Sequence, residues 1–145
     1  MNLIQFREAL KTLALSTDGI DAFSHGWIQD LNGETSVTYP HLRMTPPVQV
    51  PDEKSDEWSI TYKVKLYLLA KNDSNGNAMN NDERDQEWTV LQSTEKLLRA
   101  ALEVKNQPLV LTKRLGEIKF NEGYLTNDDP LWISFDYQIR AVTPC

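Results

Sequence analysis

The sequence predicts an α+β domain: a mainly antiparallel sheet packed with an N-terminal helix and one longer central helix. Two stretches, 3–15 and 83–104, carry apolar residues at the three- and four-residue spacing of an amphipathic helix. Two others, 58–70 and 131–143, alternate apolar and polar residues as half-buried strands do. The chain has no internal repeat and no linker that would divide it. It therefore reads as a single domain over residues 1–145, the length at which one hydrophobic core is normal.

The first helix is set by Leu3, Phe6, Leu10 and Leu13, with Asn2 as its N-cap and Ser16-Thr17-Asp18-Gly19 as its stop. Residues 26–39 read as a β-hairpin. Trp27, Ile28 and Leu31 precede Asn32-Gly33, a pair suited to a type I′ turn, and Thr35, Val37 and Tyr39 follow. His41-Leu42-Arg43-Met44 reads as a short strand that Pro46 and Pro47 terminate, because proline has no N–H to donate. The charged stretch Asp52 to Asp56 reads as a loop. In the long strand, Trp58, Ile60, Tyr62, Val64, Leu66 and Leu68 should face a core. Ser59, Thr61, Lys63, Lys65 and Tyr67 should face solvent or a partner.

Residues 72–82, NDSNGNAMNND, read as a flexible, exposed loop. The central helix has Trp88, Leu91, Leu98 and Leu102 in one stripe, flanked by Val90, Leu97 and Ala101. Acidic residues crowd its start and basic ones its second half, which complements the helix dipole. Leu109-Val110-Leu111 and Ile118-Lys119-Phe120 read as strands, with Gly116 as a bulge between them. Asn127-Asp128-Asp129-Pro130 reads as a turn. Leu131, Ile133, Phe135, Tyr137, Ile139 and Ala141 then form one face of the last strand.

Composition removes several function classes. Fifteen Lys and Arg stand against 21 Asp and Glu, giving a formal charge of −6, and 40% of residues are hydrophobic. Acidity disfavours a non-specific grip on nucleic acid. Four Trp, five Tyr and four Phe argue against a disordered acidic tail. No window approaches the roughly 18 apolar residues of a membrane span. The N-terminal stretch, interrupted by Arg7, Glu8 and Lys11, does not read as a secretory signal, so the expected site of synthesis is the cytoplasm. The single cysteine, Cys145, allows neither an intrachain disulfide nor a multi-cysteine metal site.

No catalytic, metal-binding or cofactor-binding constellation is expected, and the chain reads as a non-enzyme. His25 and His41 lack metal-ligand spacing and read as structural. The loop starting at Asp73 has Asp73, Asn75 and Asn77 in EF-hand alternation. It then has Ala78 where glycine is needed and Arg84 where a bidentate Glu is needed. The acidic pairs Asp82-Glu83 and Asp128-Asp129 fall at a helix start and a turn, where carboxylates serve structure. The strand face carrying Lys63, Lys65 and Tyr67 is either a solvated sheet face or a docking surface. The adjoining polar loop, with Asn75, Asn77 and Met79, would order against the same partner.

Residues 23–47 contain Phe23-Ser24-His25-Gly26-Trp27, the Asn32-Gly33 pair and Tyr39-Pro40-His41-Leu42-Arg43-Met44-Thr45-Pro46. Near the C-terminus stands Asp129-Pro130-Leu131-Trp132-Ile133-Ser134-Phe135. With the order of elements, these segments resemble the small tail-completion or tail-terminator proteins of tailed bacteriophages. The resemblance implies a virion structural protein of the neck or tail, made in the host cytoplasm. It implies a homo-oligomeric ring, hexameric or dodecameric, whose neighbours are neck, portal-adaptor and tail-tube proteins. It also implies that double-stranded DNA passes through without specific binding. The alternative is a small acidic binding or adaptor protein that inhibits or docks on a host protein.

Overall fold

Both helices begin with an asparagine capping box, in which side chain and backbone satisfy each other's orphan donors. A computed structural model describes residues 1–33, 38–51, 59–74, 77–105, 107–122 and 130–142. Helix α1 spans Leu3–Leu15; Asn2 Oδ1 accepts from the Gln5 amide at 2.8 Å, and Gln5 Oε1 accepts from the Asn2 amide at 2.9 Å. Helix α2 spans Asn81–Leu102, with Asn80 and Glu83 in the same relation at 2.9 and 3.3 Å. The asparagine run therefore ends as a helix start. The central helix begins and ends two residues earlier than its periodicity suggests.

The strands are β1 (Ala22–His25), β2 (His41–Met44), β3 (Val48–Val50), β4 (Ser59–Ala70), a two-residue pair β5 (Asp73–Ser74) and β6 (Asn77–Ala78), β7 (Leu109–Glu122) and β8 (Leu131–Val142). The main sheet runs β1-β2-β4-β8-β7, with β3 paired to the first half of β4. Every pairing is antiparallel except β1 with β2. β4 and β8 pair along their whole lengths, from Ser59 opposite Val142 to Ala70 opposite Leu131.

One face of this sheet holds the core. Tyr62, Val64, Leu66, Leu68 and Ala70 of β4 meet Ile133, Phe135, Tyr137, Ile139 and Ala141 of β8. Both helices cover them, with Phe6, Leu10 and Ala14 from α1 and Leu91, Leu98 and Leu102 from α2. The alternation read from the sequence assigns this face correctly from Tyr62 to Leu68 and from Ile133 to Ala141, while Ser59 and Thr61, expected to face outward, are buried. Trp88 differs from expectation: it is half-buried at the margin of the core, and its indole N–H donates to the Asn121 carbonyl at 3.1 Å.

Two expectations are corrected. The described residues of 26–39 do not form the expected hairpin. β1 ends at His25 and runs parallel to β2, so the chain between them must cross over rather than turn back. It does so through a 3₁₀ helix, Ile28–Gly33. Ile28 and Leu31 stand three apart, the spacing that a 3₁₀ helix places on one face. Leu31 is fully buried against Leu69, with Ile28, Tyr39, Tyr67 and Trp132 around them. This small cluster lies on the sheet face opposite the main core. The second correction joins the two strands expected at 109–111 and 118–120 into the single strand β7. Gly116 does mark an irregularity: the register with β8 shifts between Leu115 and Lys119, and Gly116 has φ +69.

The expectations placed on Thr35, Val37, Asp52–Asp56, Trp58, Asn75, Asp128, Asp129 and Cys145 fall outside the described residues.

Candidate functional site

The sheet face turned away from the helices is the largest surface on which the sequence places candidate site residues. Residues paired across a ladder share a face, so the register defines its occupants. β4 supplies Thr61, Lys63, Lys65, Tyr67 and Leu69; β8 supplies Trp132, Ser134, Asp136, Gln138 and Arg140; β7 supplies Val110, Lys113, Leu115, Lys119 and Asn121. β3 adds Val48 and Val50 at the margin, opposite Lys63 and Thr61.

This face runs against the charge of the chain. Among the residues so placed on β4, β7 and β8 are five cations, Lys63, Lys65, Lys113, Lys119 and Arg140, and one anion, Asp136. Asp136 sits directly across from Lys65, a favourable cross-strand pair. Lys63, Gln138 and Lys113 lie side by side across three strands, with Lys119 beside Ser134 four residues along β8 and Arg140 between Thr61 and Val110.

The structure separates the residues assigned to a contact surface. Lys63 is exposed and Lys65 half-buried on the open face. Tyr67 is half-buried at the end of the face covered by the 3₁₀ helix, its ring 5.4 Å from that of Trp132. Burial, and then the Asp136 carboxylate, raise its phenol pKa. Asn77 lies in β6, and Met79 is half-buried just before the cap of α2. The polar stretch is thus a short two-stranded ladder that runs into a helix N-terminus rather than one continuous loop.

Two buried polar groups were not foreseen. Arg43 is 1% exposed. Its Nε donates to the Gly26 carbonyl at 3.2 Å, Nη1 to Ser24 Oγ at 2.9 Å and Nη2 to the Trp27 carbonyl at 3.0 Å. Ser24 Oγ also lies 2.6 Å from Nε2 of His41, so a polar chain ties β1 to β2 and pins the start of the crossover. Gly26, at φ +130, is glycine because a Cβ there would stand 2.8 Å from Arg43 Nη2. His41 is thereby a buried histidine whose Nε2 is tied to Ser24. His25 is exposed, its Nδ1 3.5 Å from Arg7 Nη1. Arg7 and His25 border a cleft of about 160 Å³ with Met44, Thr45, Pro46 and Pro47.

Glu95 is the second group. It is fully buried on the inner side of α2, with the Tyr137 phenol beside its carboxyl. Arg99 Nε lies 3.5 Å from Glu95 Oε1. Burial dominates and raises the carboxyl pKa, and Arg99 opposes this only in part. Burial, and then Glu95, push the Tyr137 phenol upward. The folded chain therefore holds the Glu95 proton where the unfolded chain, with a pKa of about 4.3, has released it. Stability from this site is fully present below that pH and is lost as pH rises through the folded pKa. Glu95→Gln, which mimics the protonated form, should melt at a higher temperature than wild type at pH 7, with the gap closing toward pH 4. A lower melting temperature for the variant at pH 7 would mean that Glu95 is ionised and held by Arg99.

Among the described residues, no three His, Cys, Asp or Glu side chains gather as metal ligands, and no helix is long and apolar enough to cross a membrane. Comparison with protein-family models and with curated proteins finds no match.

Proposed function

We propose that the chain is a structural virion protein of a tailed phage, acting without catalysis, that forms a ring in the neck or at the top of the tail. The ring joins the tail to the head-side connector and lets double-stranded DNA pass. The observation that carries this reading is the row of cations on the sheet face turned away from the helices, on a chain whose net charge is −6. A ring closes through heterologous contacts, in which one patch meets a different patch on the next copy. A basic face on an acidic molecule supplies two unlike, mutually attractive surfaces on every copy. The resemblance of residues 23–47 and 129–135 to tail-terminator proteins supports the same reading.

The test is charge reversal. Lys63→Glu combined with Lys65→Glu should leave the melting temperature within a few degrees of wild type, because Lys63 is exposed and Lys65 only half-buried. The pair should abolish assembly in sedimentation or light scattering. Unchanged assembly would show that this face is merely solvated. A chain that stays monomeric and recovers one stoichiometric host protein from lysate would instead be the acidic adaptor.

A further inference from the structure

The cleft between the start of α1 and the ends of β1 and β2 holds an arginine without a carboxylate. Along α1, the positions three and four residues from Arg7 are Leu3, Ile4, Leu10 and Lys11. The helix therefore offers no acid at the spacing that forms ion pairs, and adds a second cation instead. Among the described residues no carboxylate pairs with Arg7. Its guanidinium meets His25 at the end of β1, Nη1 lying 3.5 Å from Nδ1. Its Nε is shielded from water and donates to no acceptor. A buried N–H left in that state is destabilising, and an acceptor brought into the cleft would relieve it.

The walls determine what such an acceptor is attached to. Leu3, Met44, Pro46 and Pro47 line the rest of the cleft, which has a volume of about 160 Å³. The hydroxyl of Thr45, also on the wall, already donates to the Lys65 carbonyl at 2.8 Å. The two prolines have fixed φ, so their part of the wall is set before a ligand arrives. A cavity of about 150 Å³ holds one benzene molecule, so this space suits a carboxylate carrying about three or four further carbons. Inorganic phosphate would satisfy the arginine and leave the apolar wall uncovered. We propose that this cleft binds a carboxylate on a short branched aliphatic chain. Arg7 takes the carboxylate through charge-assisted hydrogen bonds, and Leu3, Met44, Pro46 and Pro47 cover the chain. A small branched acid presents that group, and so does the last residue of a peptide with an aliphatic C-terminus. The site shares no residue with the cations of the open sheet face. It therefore stands independently of the ring reading.

Nitrogen-15 NMR of the full chain, titrated with isovalerate and in parallel with its neutral amide isovaleramide, tests the proposal. The acid should shift the backbone signals of Arg7, His25 and Thr45 saturably, and the amide should bind at least about tenfold more weakly. Arg7→Gln should abolish the preference for the acid, with a melting temperature near wild type, because Arg7 is only half-buried. Leu3→Glu places a carboxylate one turn from Arg7 and engages the guanidinium from within the chain. It should weaken isovalerate binding by a similar factor without lowering the melting temperature, since an acidic residue suits the first turn of a helix. One variant removes the charge and the other satisfies it, so a folding defect in either leaves the other to decide. A Gly-Gly-Val peptide with a free C-terminus, set against its amidated form, identifies the source. Tighter binding than isovalerate assigns the cleft to a chain terminus, and weaker binding assigns it to a free acid. Equal binding of acid and amide overturns the proposal. So does acid binding that both variants leave unchanged, or the lack of a saturable shift with either isovalerate or the free peptide.

Discussion

Arg43→Ala is expected to destabilise the fold by about 3–5 kcal/mol, more than a typical surface substitution by an order of magnitude. Three charge-assisted hydrogen bonds run from one guanidinium that is 1% exposed. Each such bond contributes about 1.5–3 kcal/mol, reduced here because a smaller side chain admits water to the freed acceptors. The loss should fall on the docking of β1 and on the start of the crossover, because the acceptors are Ser24 Oγ and the carbonyls of Gly26 and Trp27. Arg43→Lys should recover only part of it, since one ammonium cannot reach three acceptors that a planar fork serves. Urea denaturation measures both variants. An alanine variant within about 1 kcal/mol of wild type would mean that the polar chain through Ser24 and His41 does not hold these strands together.

Phe6→Ala should cost a similar amount, about 3–5 kcal/mol, by the different route of an emptied core. Phe6 is fully buried, and its ring lies on Tyr62 with centroids 4.5 Å apart and planes inclined by 26°. Tyr62 also donates its hydroxyl to the Met1 carbonyl at 3.3 Å, so this pair anchors α1 to the sheet. Thermal unfolding should show the large drop for Phe6→Ala. Leu3→Ala, at a position 44% exposed, should change little. Equal effects at the two positions would mean that α1 is rotated from the orientation described.

The sequence is legible where periodicity and packing agree. Phe6 and Leu10, and the alternating runs of β4 and β8, declare which face is buried because a helix or a strand offers that face to a single large core. Legibility fails where a second layer covers the other face. Arg43 stands between Leu42 and Met44, and strand alternation turns it outward. Nothing local says that residues 26–31 fold over that side and bury it. Leu69 is concealed for the same reason, since its partner Leu31 lies on the crossover. Asn32-Gly33 is a true turn signal, but a turn signal does not tell a hairpin from the end of a 3₁₀ helix. The spacing of Ile28 and Leu31 was the local clue that could have done so.

Candidate surfaces follow the same division. The lysines of β4 are visible in the sequence as an outward row. Lys113 and Lys119 join them only through pairing with β8, and the register shifts of β7 prevent a simple count from placing them. Val90 and Leu97 read in the sequence as flanking the main stripe of α2. Their exposure sets them outside the core, and that is a property of the folded chain. Glu95 carries no sequence signal at all: a glutamate four residues before Arg99 reads as an ordinary surface pair.

Self-assembly into a ring is the central claim. It is tested most directly by light scattering and electron microscopy of the purified chain over a range of concentrations, alone and co-expressed with neck and tail-tube proteins. A closed ring of fixed copy number with an open centre is expected, lost in the variant carrying Lys63→Glu and Lys65→Glu. A chain that remains monomeric or dimeric under all these conditions, and joins no particle, would contradict it.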